Sequence, residues 1–366
     1  VTVAPGIGAQ LPPAGLQGLD RDWSRLVHVP ATDGVGRTWH LLDNGITDPE
    51  LTLLCVHGTP SWSSLFRDLL RLAPTGVRVI AVDQLDMGYS ERTGTTRRLA
   101  QRIADLGAVV DALDITSAII TVGHDWGGAI SLGWAIDNVD RLAGVVVANT
   151  AVHQPDGARA PLLIRMVRPF IDWVCVRSPL FVWGTTVLAR PRLRRRVRDA
   201  YLAPYRARER RSAVGAFVAD IPLEPSHPSF DDLARIAFGL DRLADVPALM
   251  LWGPSDPVFS DLYLRDLEQR LPHADVHRFV GAGHLVVEDA DVAGAVHTWV
   301  AHDTTPTPQT DSGRHPVWAA LESRAVDDTI AVSETTDEGV RSMTFAELAA
   351  AVRDTAAGMA AHGIGK

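Results

Sequence analysis

The chain has 366 residues, 46% of them hydrophobic, enough for one large core and a smaller second unit. Its formal net charge of −9 argues against general nucleic-acid binding. The only two cysteines, Cys55 and Cys175, stand at no metal-ligand spacing, so neither a disulfide nor a metal site is expected, and a reducing, cytoplasmic setting is.

In chain order, the first 30 residues lack a basic patch followed by an apolar core, so no secretory leader is expected. From about residue 38, short apolar strands alternate with helical patterns, at 51–57, 77–83, 118–125 and 142–149. Two more strands follow at 248–253 and 276–280. Alternation of this kind predicts βαβ units and an α/β fold, a doubly wound, mostly parallel sheet covered on both faces. Residues 1–150 and 241–302 form its core. Between them, about 151–240 is rich in arginine and large apolar residues and reads as an inserted helical cap over the C-terminal strand edge. No run of 18 apolar residues occurs; the nearest approach, 161–189, is broken by Arg165, Arg168, Asp172 and Arg177. Ten arginines fall between Arg190 and Arg211. They read as a solvated helix face or, more sharply, as a docking patch for partner enzymes or for an anionic membrane surface. Residues 303–314 are a Pro/Thr linker. Residues 315–366 open a new segment, in which Thr344 and Glu347 form a capping box ahead of a helix at 345–362.

The chemistry concentrates at strand ends. Gly123-His124-Asp125-Trp126-Gly127-Gly128 follows an apolar strand and leads into a helix, the pattern of a nucleophile elbow. Its central residue is Asp125, not serine. A carboxylate that attacks a saturated carbon bearing a leaving oxygen or halide gives an alkyl ester, which water must then release. His57-Gly58-Thr59-Pro60 aims a backbone N–H at the same place, so Thr59 and Trp126 are the expected oxyanion donors. Asp256, in Trp252-Gly253-Pro254-Ser255-Asp256, and His284, in Gly281-Ala282-Gly283-His284, complete a nucleophile, acid and base order. Here Asp125 attacks, His284 takes a proton from water and Asp256 holds the imidazole. The rival position for the acid is Asn149, which cannot carry the charge. His57 and His124, beside glycines at strand ends, read as structural.

Together these motifs, with Ala200-Tyr201-Leu202-Ala203-Pro204-Tyr205 in the cap, resemble the haloalkane dehalogenase branch of the α/β-hydrolases over about residues 25–302. The resemblance implies the α/β-hydrolase fold and a halide clamped by the Trp after the nucleophile and a second donor, either an Asn after His-Gly or a Trp in the cap. Thr59 stands where that Asn would be, so Trp173 or Trp183 is left as the cap donor; with Trp62 they are the expected substrate-contacting aromatics. Epoxide hydrolases share the Asp elbow but use two widely separated cap tyrosines, whereas Tyr201 and Tyr205 lie one helical turn apart.

His315-Pro316-Val317-Trp318-Ala319-Ala320 and Met343-Thr344-Phe345-Ala346-Glu347-Leu348 resemble the opening of an adenylate-forming ligase without its nucleotide loop. The chain is therefore expected to be part of a longer fusion, whose missing portion would use ATP and Mg; the hydrolase-like part is expected to need no cofactor. The order resembles the two-domain proteins of bacterial long-chain olefin biosynthesis. That resemblance implies decarboxylation of a cis-β-lactone with two long chains to a cis-alkene, with its own ligase domain and other olefin-pathway enzymes as partners. A haloalkane dehalogenase, or a non-catalytic docking or receptor module, is the alternative.

Overall fold

The computed structural model describes residues 6–30, 34–155, 162–303, 330–336 and 339–361. They fall into two compact units, 1–305 and 306–366.

The first unit is built on an eight-stranded sheet in the order β1-β2-β4-β3-β5-β6-β7-β8. Strands β1 (Ser24–Val29) and β2 (Arg37–Asp43) form an antiparallel edge. The parallel body comprises β3 (Leu51–Val56), β4 (Val77–Val82), β5 (Ala118–His124), β6 (Leu142–Ala148), β7 (Ala248–Trp252) and β8 (Asp275–Arg278). The parallel body lies where the apolar runs predict it. The β1–β2 pair was not expected, because its residues mix charged and apolar side chains without a long apolar run. The last strand begins one residue early and is exposed throughout, as an edge strand tolerates.

Side chains alternate across the sheet, so β3 sends Leu54 and Val56 into one core and Leu53 and Cys55 into the other. Helices α1 (Arg67–Arg71), α2 (Leu99–Ala112) and α3 (Trp126–Ala135) follow β3, β4 and β5. The register brings Val56 beside Gly123, His124 beside Ala148 and Ala148 beside Leu251. The C-terminal ends of β3, β5, β6 and β7 thus meet at one edge of the sheet.

The insertion between β6 and β7 carries α4 (Leu162–Val167), α5 (Leu180–Thr186), α6 (Arg195–Leu202), α7 (Ser212–Ala219) and α8 (Pro228–Gly239). Only part of it is a roof. Helix α8 packs against α2 and α3, with Ile236 fully buried, so the expected cap at 151–240 gives its last helix to the core layer. Glycine at 133 lets it in, since a Cβ there would press on Ile103 and Ile236. After β7 come α9 (Asp261–Arg270), α10 (Val286–Asp289) and α11 (Val292–Asp303).

The roof is tied down by polar contacts that its sequence conceals. Trp62 Nε1 donates to the Ala200 carbonyl at 3.1 Å, and the Tyr205 hydroxyl donates to Ser61 O at 3.0 Å. Arg210 and Arg211 are buried and donate to carbonyls of Gly88, Pro204, Val176 and Tyr205, so these two are structural, not solvated. Arg67 of α1 forms a two-pronged ion pair with Glu288 of α10, whose Oε1 also accepts from the Tyr201 hydroxyl at 2.8 Å.

In the second unit, β9 (Ile330–Thr336) pairs antiparallel with β10 (Gly339–Thr344), and α12 (Phe345–Ala361) follows. The capping box forms: Glu347 N–H donates to Thr344 Oγ1 at 3.2 Å, and Thr344 N–H donates to Glu347 Oε2 at 2.9 Å. Residues 304–314 of the expected linker, and the His315–Ala320 motif, lie outside the described residues.

Removing one partner of a buried ion pair strands the other. Glu288→Ala is therefore expected to cost about 3–5 kcal/mol in urea unfolding, and a second change, Arg67→Met, to recover much of it. Equal loss in the single and double variants would show that Arg67 is not the group left stranded.

Candidate active site

Asp125 sits between β5 and α3 with φ 53° and ψ −131°, a conformation that a side-chain-bearing residue holds only under strain. The turn is possible because its neighbours carry no side chain. A Cβ on Gly123 would strike Ser131 and Gly128, one on Gly127 would strike the Val56 carbonyl, and one on Gly128 would strike Thr150. Thr150 Oγ1 donates to the Asp125 carbonyl at 2.5 Å and holds the turn from the far side.

The turn lifts the Asp125 carboxylate to the sheet edge, where it is buried. Its Oδ2 accepts from the Thr59 backbone N–H at 2.9 Å, and the Trp126 N–H also faces it. Gly58 leaves it room, since a Cβ there would overlap the carboxylate. Burial raises the Asp125 pKa above the usual carboxylate range, while His284 and the two N–H groups oppose the rise. His57 holds the Thr59 loop: its Nδ1 bonds the Gly58 carbonyl at 2.7 Å and its Nε2 accepts from Gln84 N–H at 3.1 Å.

The structure brings the expected acid and base together. His284 Nδ1 lies 3.0 Å from Asp256 Oδ2, with both side chains buried. The same Oδ2 accepts from Asn149 Nδ2 at 2.8 Å, and Asp256 Oδ1 accepts from Val258 N–H at 2.6 Å. Asn149 therefore has its own use at the end of β6: it clamps the acid and exchanges two hydrogen bonds with the Gly253 backbone. Burial disfavours the His284 imidazolium, but Asp256, by charge and hydrogen bond, and Asp125 outweigh it and push the pKa up to about 9. The upward shift favours the imidazolium form of His284.

Two further groups fix His284, and the sequence did not announce either role. His124 Nε2 bonds the His284 carbonyl at 2.7 Å. Burial and the neighbouring His284 charge push the His124 pKa down to about 3, so it acts as a neutral donor. Asp289 accepts from Gly283 N–H and from Arg190 N–H, both at 2.7 Å, and so joins the His284 loop to the end of the cap.

Asp125, Trp126, Thr59 and His284 open on a cavity beneath the cap. Its walls are mainly apolar and come from separate elements: Ile164, Phe181 and Leu188 from the cap, Ile221 to Leu223 beyond α7, Leu233 from α8, and Val258, Phe259 and Tyr263 after β7. No motif marks them, since each is one apolar residue among many. Thr59 Oγ1 is buried in this wall without a partner among the described residues.

Three expected aromatics lie elsewhere. Trp62 is fully buried behind the site, spends its N–H on Ala200 and packs edge-on to Tyr89. Trp173 and Trp183 point outward from the cap and are 58% and 48% exposed. None of the three lines the cavity, so no cap tryptophan supplies a second donor beside Trp126. Among the described residues, no group of three or more His, Cys, Asp or Glu could hold a metal ion.

Residues 52–291 match the family model for the alpha/beta hydrolase fold. The chain belongs to the α/β-hydrolase family. Within that family it is 33% identical over 288 residues to cis-3-alkyl-4-alkyloxetan-2-one decarboxylase of Shewanella oneidensis, covering 74% of this chain and 86% of that one. It is 31% identical over 256 residues to haloalkane dehalogenase 2 of Mycobacterium tuberculosis, covering 69% and 86%. The solved structure of haloalkane dehalogenase DpaA from Paraglaciecola agarilytica matches this α/β-hydrolase with a TM-score of 0.69 at 21% identity, over 83% of this chain and 100% of that one. This last match is a likeness of fold.

The His284 pair carries a pH signature. Its folded pKa of about 9 lies above the ordinary 6.5, so its contribution to stability is complete below about pH 6.5 and is lost as the pH rises through about 9. Asp256→Asn removes the charge that opposes burial, and the His284 pKa is then expected to fall below 6.5, as followed by NMR titration of the imidazole. An unchanged pKa would show that Asp256 does not hold the proton.

Proposed function

We propose that this chain decarboxylates a cis-β-lactone carrying two long alkyl chains, releasing a cis-alkene and CO2. One observation carries the reading: a buried carboxylate on a strained elbow opens on an apolar cavity beside a cationic histidine, in a chain 33% identical to an oxetanone decarboxylase. The cavity's apolar walls suit alkyl chains.

The chemistry balances without water. Asp125 attacks the ring carbon that bears the ring oxygen; that C–O bond breaks and its electron pair stays on oxygen. The product is a single covalent intermediate, an alkyl ester of Asp125 that bears the released carboxylate on the adjacent carbon. The His284 imidazolium and the unpartnered Thr59 hydroxyl stand ready to stabilise that carboxylate as it forms. The C–C bond to the carboxylate then breaks, CO2 leaves, the pair becomes the alkene, and Asp125 departs as a carboxylate. The N–H groups of Thr59 and Trp126, already facing that carboxylate, favour its departure. Inversion at the attacked carbon followed by anti elimination returns the cis geometry of the lactone. Asp256 and Asn149 hold His284 in place.

A dehalogenase would share the alkyl ester but needs neutral His284 to activate water. The 31% identity to haloalkane dehalogenase 2 keeps that reading as the alternative. The outward Trp173 and Trp183, and Thr59 in place of an asparagine, leave Trp126 without the second halide donor and favour the lactone. On the same reading, segment 315–366 begins a ligase that would use ATP and Mg to close the β-hydroxy acid precursor.

The test is alkene formation from a synthetic cis-dialkyl β-lactone, followed by gas chromatography. Wild-type protein is expected to give the cis-alkene, and Asp125→Asn to lose at least about a thousandfold in rate. A β-hydroxy acid product, or an intact lactone, would overturn the reading. The pH profile separates the alternatives: decarboxylation that uses the imidazolium declines as pH rises through about 9, whereas hydrolysis of an Asp125 ester by neutral His284 increases over the same range.

A further inference from the structure

The cap is apolar on both faces. From Ile164 to Cys175, residues 164, 167, 171 and 175 are buried at helical spacing, and Ile164 lines the cavity. On the opposite side, Met166, Phe170 and Trp173 recur at i, i+4 and i+7 and are 58–64% exposed. Helix α5, packed against this segment, repeats the arrangement. Phe181 and Thr185 face the cavity, while Leu180, Trp183 and Val187 face outward. Single exposed apolar residues are ordinary, but six in two adjoining helical stripes make a patch that calls for a partner.

The charge around the patch says which partner. Between residues 162 and 199 there are nine arginines and two acids, Asp172 and Asp199, in a chain whose net charge is −9, and Asp199 pairs with Arg195 at 3.8 Å. Asp172 is already paired with Arg177 at 2.6 Å. Arg165 and Arg177 flank the first stripe, and exposed Arg194, Arg195 and Arg196 follow at the start of α6, which packs against α5. A second copy seated on this face would bring like charges together. Tryptophan, large apolar side chains and arginine on the outer side of a helix pair match the chemistry of an anionic lipid interface.

We propose that the outer face of the α4–α5 cap docks on an anionic lipid surface. Docking there sets the helices that wall the cavity directly on an apolar phase, the phase into which a long-chain ligand partitions. The assignment rests on the exposed face and its charge and stands whatever reaction Asp125 performs.

The full chain would be sedimented with vesicles of phosphatidylcholine, or of equimolar phosphatidylcholine and phosphatidylglycerol, with brominated lipid to quench Trp173 and Trp183. Binding and quenching are expected with the anionic vesicles, weakening as salt is raised. Phe170→Ser with Leu180→Ser, and separately Arg194→Ser with Arg196→Ser, are each expected to weaken partition at least about tenfold, with circular dichroism and thermal unfolding unchanged. Lack of binding to either vesicle, or binding that both double variants leave intact, would overturn the proposal. So would a solution mass that falls from dimer to monomer in the Phe170→Ser, Leu180→Ser variant, which would give the face to a second copy or another protein.

Discussion

The backbone at Asp125, held at φ 53° and ψ −131°, is the point on which the site depends. Such a conformation costs about 1–3 kcal/mol and persists only where the surroundings dictate it. Here they do. Three glycines remove the side chains that would collide, Thr150 bonds the Asp125 carbonyl, and β5 is gripped by β3 and β6 on both edges. A relaxed turn would lower the carboxylate into the sheet; this one sets it against two N–H donors and the cavity.

Electrostatics then decide what the carboxylate can do. Asp125 and Asp256 are both buried carboxylates, yet their surroundings differ. Asp256 is saturated by Asn149, Val258 and His284 and serves to hold the histidine. Asp125 keeps one face toward an apolar space, and burial pushes its pKa up against the pull of its donors. A less fully solvated carboxylate is a better nucleophile, and the His284 charge beside it opposes the rise that burial imposes. On the proposed reading, a protonated His284 is a poor base at neutral pH, which suits a water-free elimination better than ester hydrolysis.

The cap belongs to this account as a wall with two sides. Its inner residues complete a cavity that the sheet edge alone leaves open, and its anchors run through Trp62, Tyr201 and Tyr205 to the core. Those aromatics are spent on fixing the roof. Trp173 and Trp183 face outward, since the buried side of the first segment is filled by Ile164, Val167, Ile171 and Cys175 and that of α5 by Phe181, Val182, Thr185 and Thr186.

The parallel strands, the elbow, the acid and base positions and the capping box at Thr344 were all legible in the sequence, because each follows from a local rule: apolar runs, glycine beside a strained residue, polar groups at strand ends. The antiparallel β1–β2 edge was not, since its pattern mixes charge with apolar residues and its pairing is non-local. Nor was the clamp of Asn149 on Asp256, or the hold of His124 on the His284 carbonyl, which join residues 107 and 160 positions apart. The sequence by itself placed an aspartate at the elbow and an acid and a histidine at two later strand ends, because side-chain chemistry and turn geometry are written locally. Tertiary structure alone decided which aromatics line the cavity, which histidine meets a carboxylate and which face of the cap meets solvent, because those depend on burial and on groups that meet only after the chain has folded.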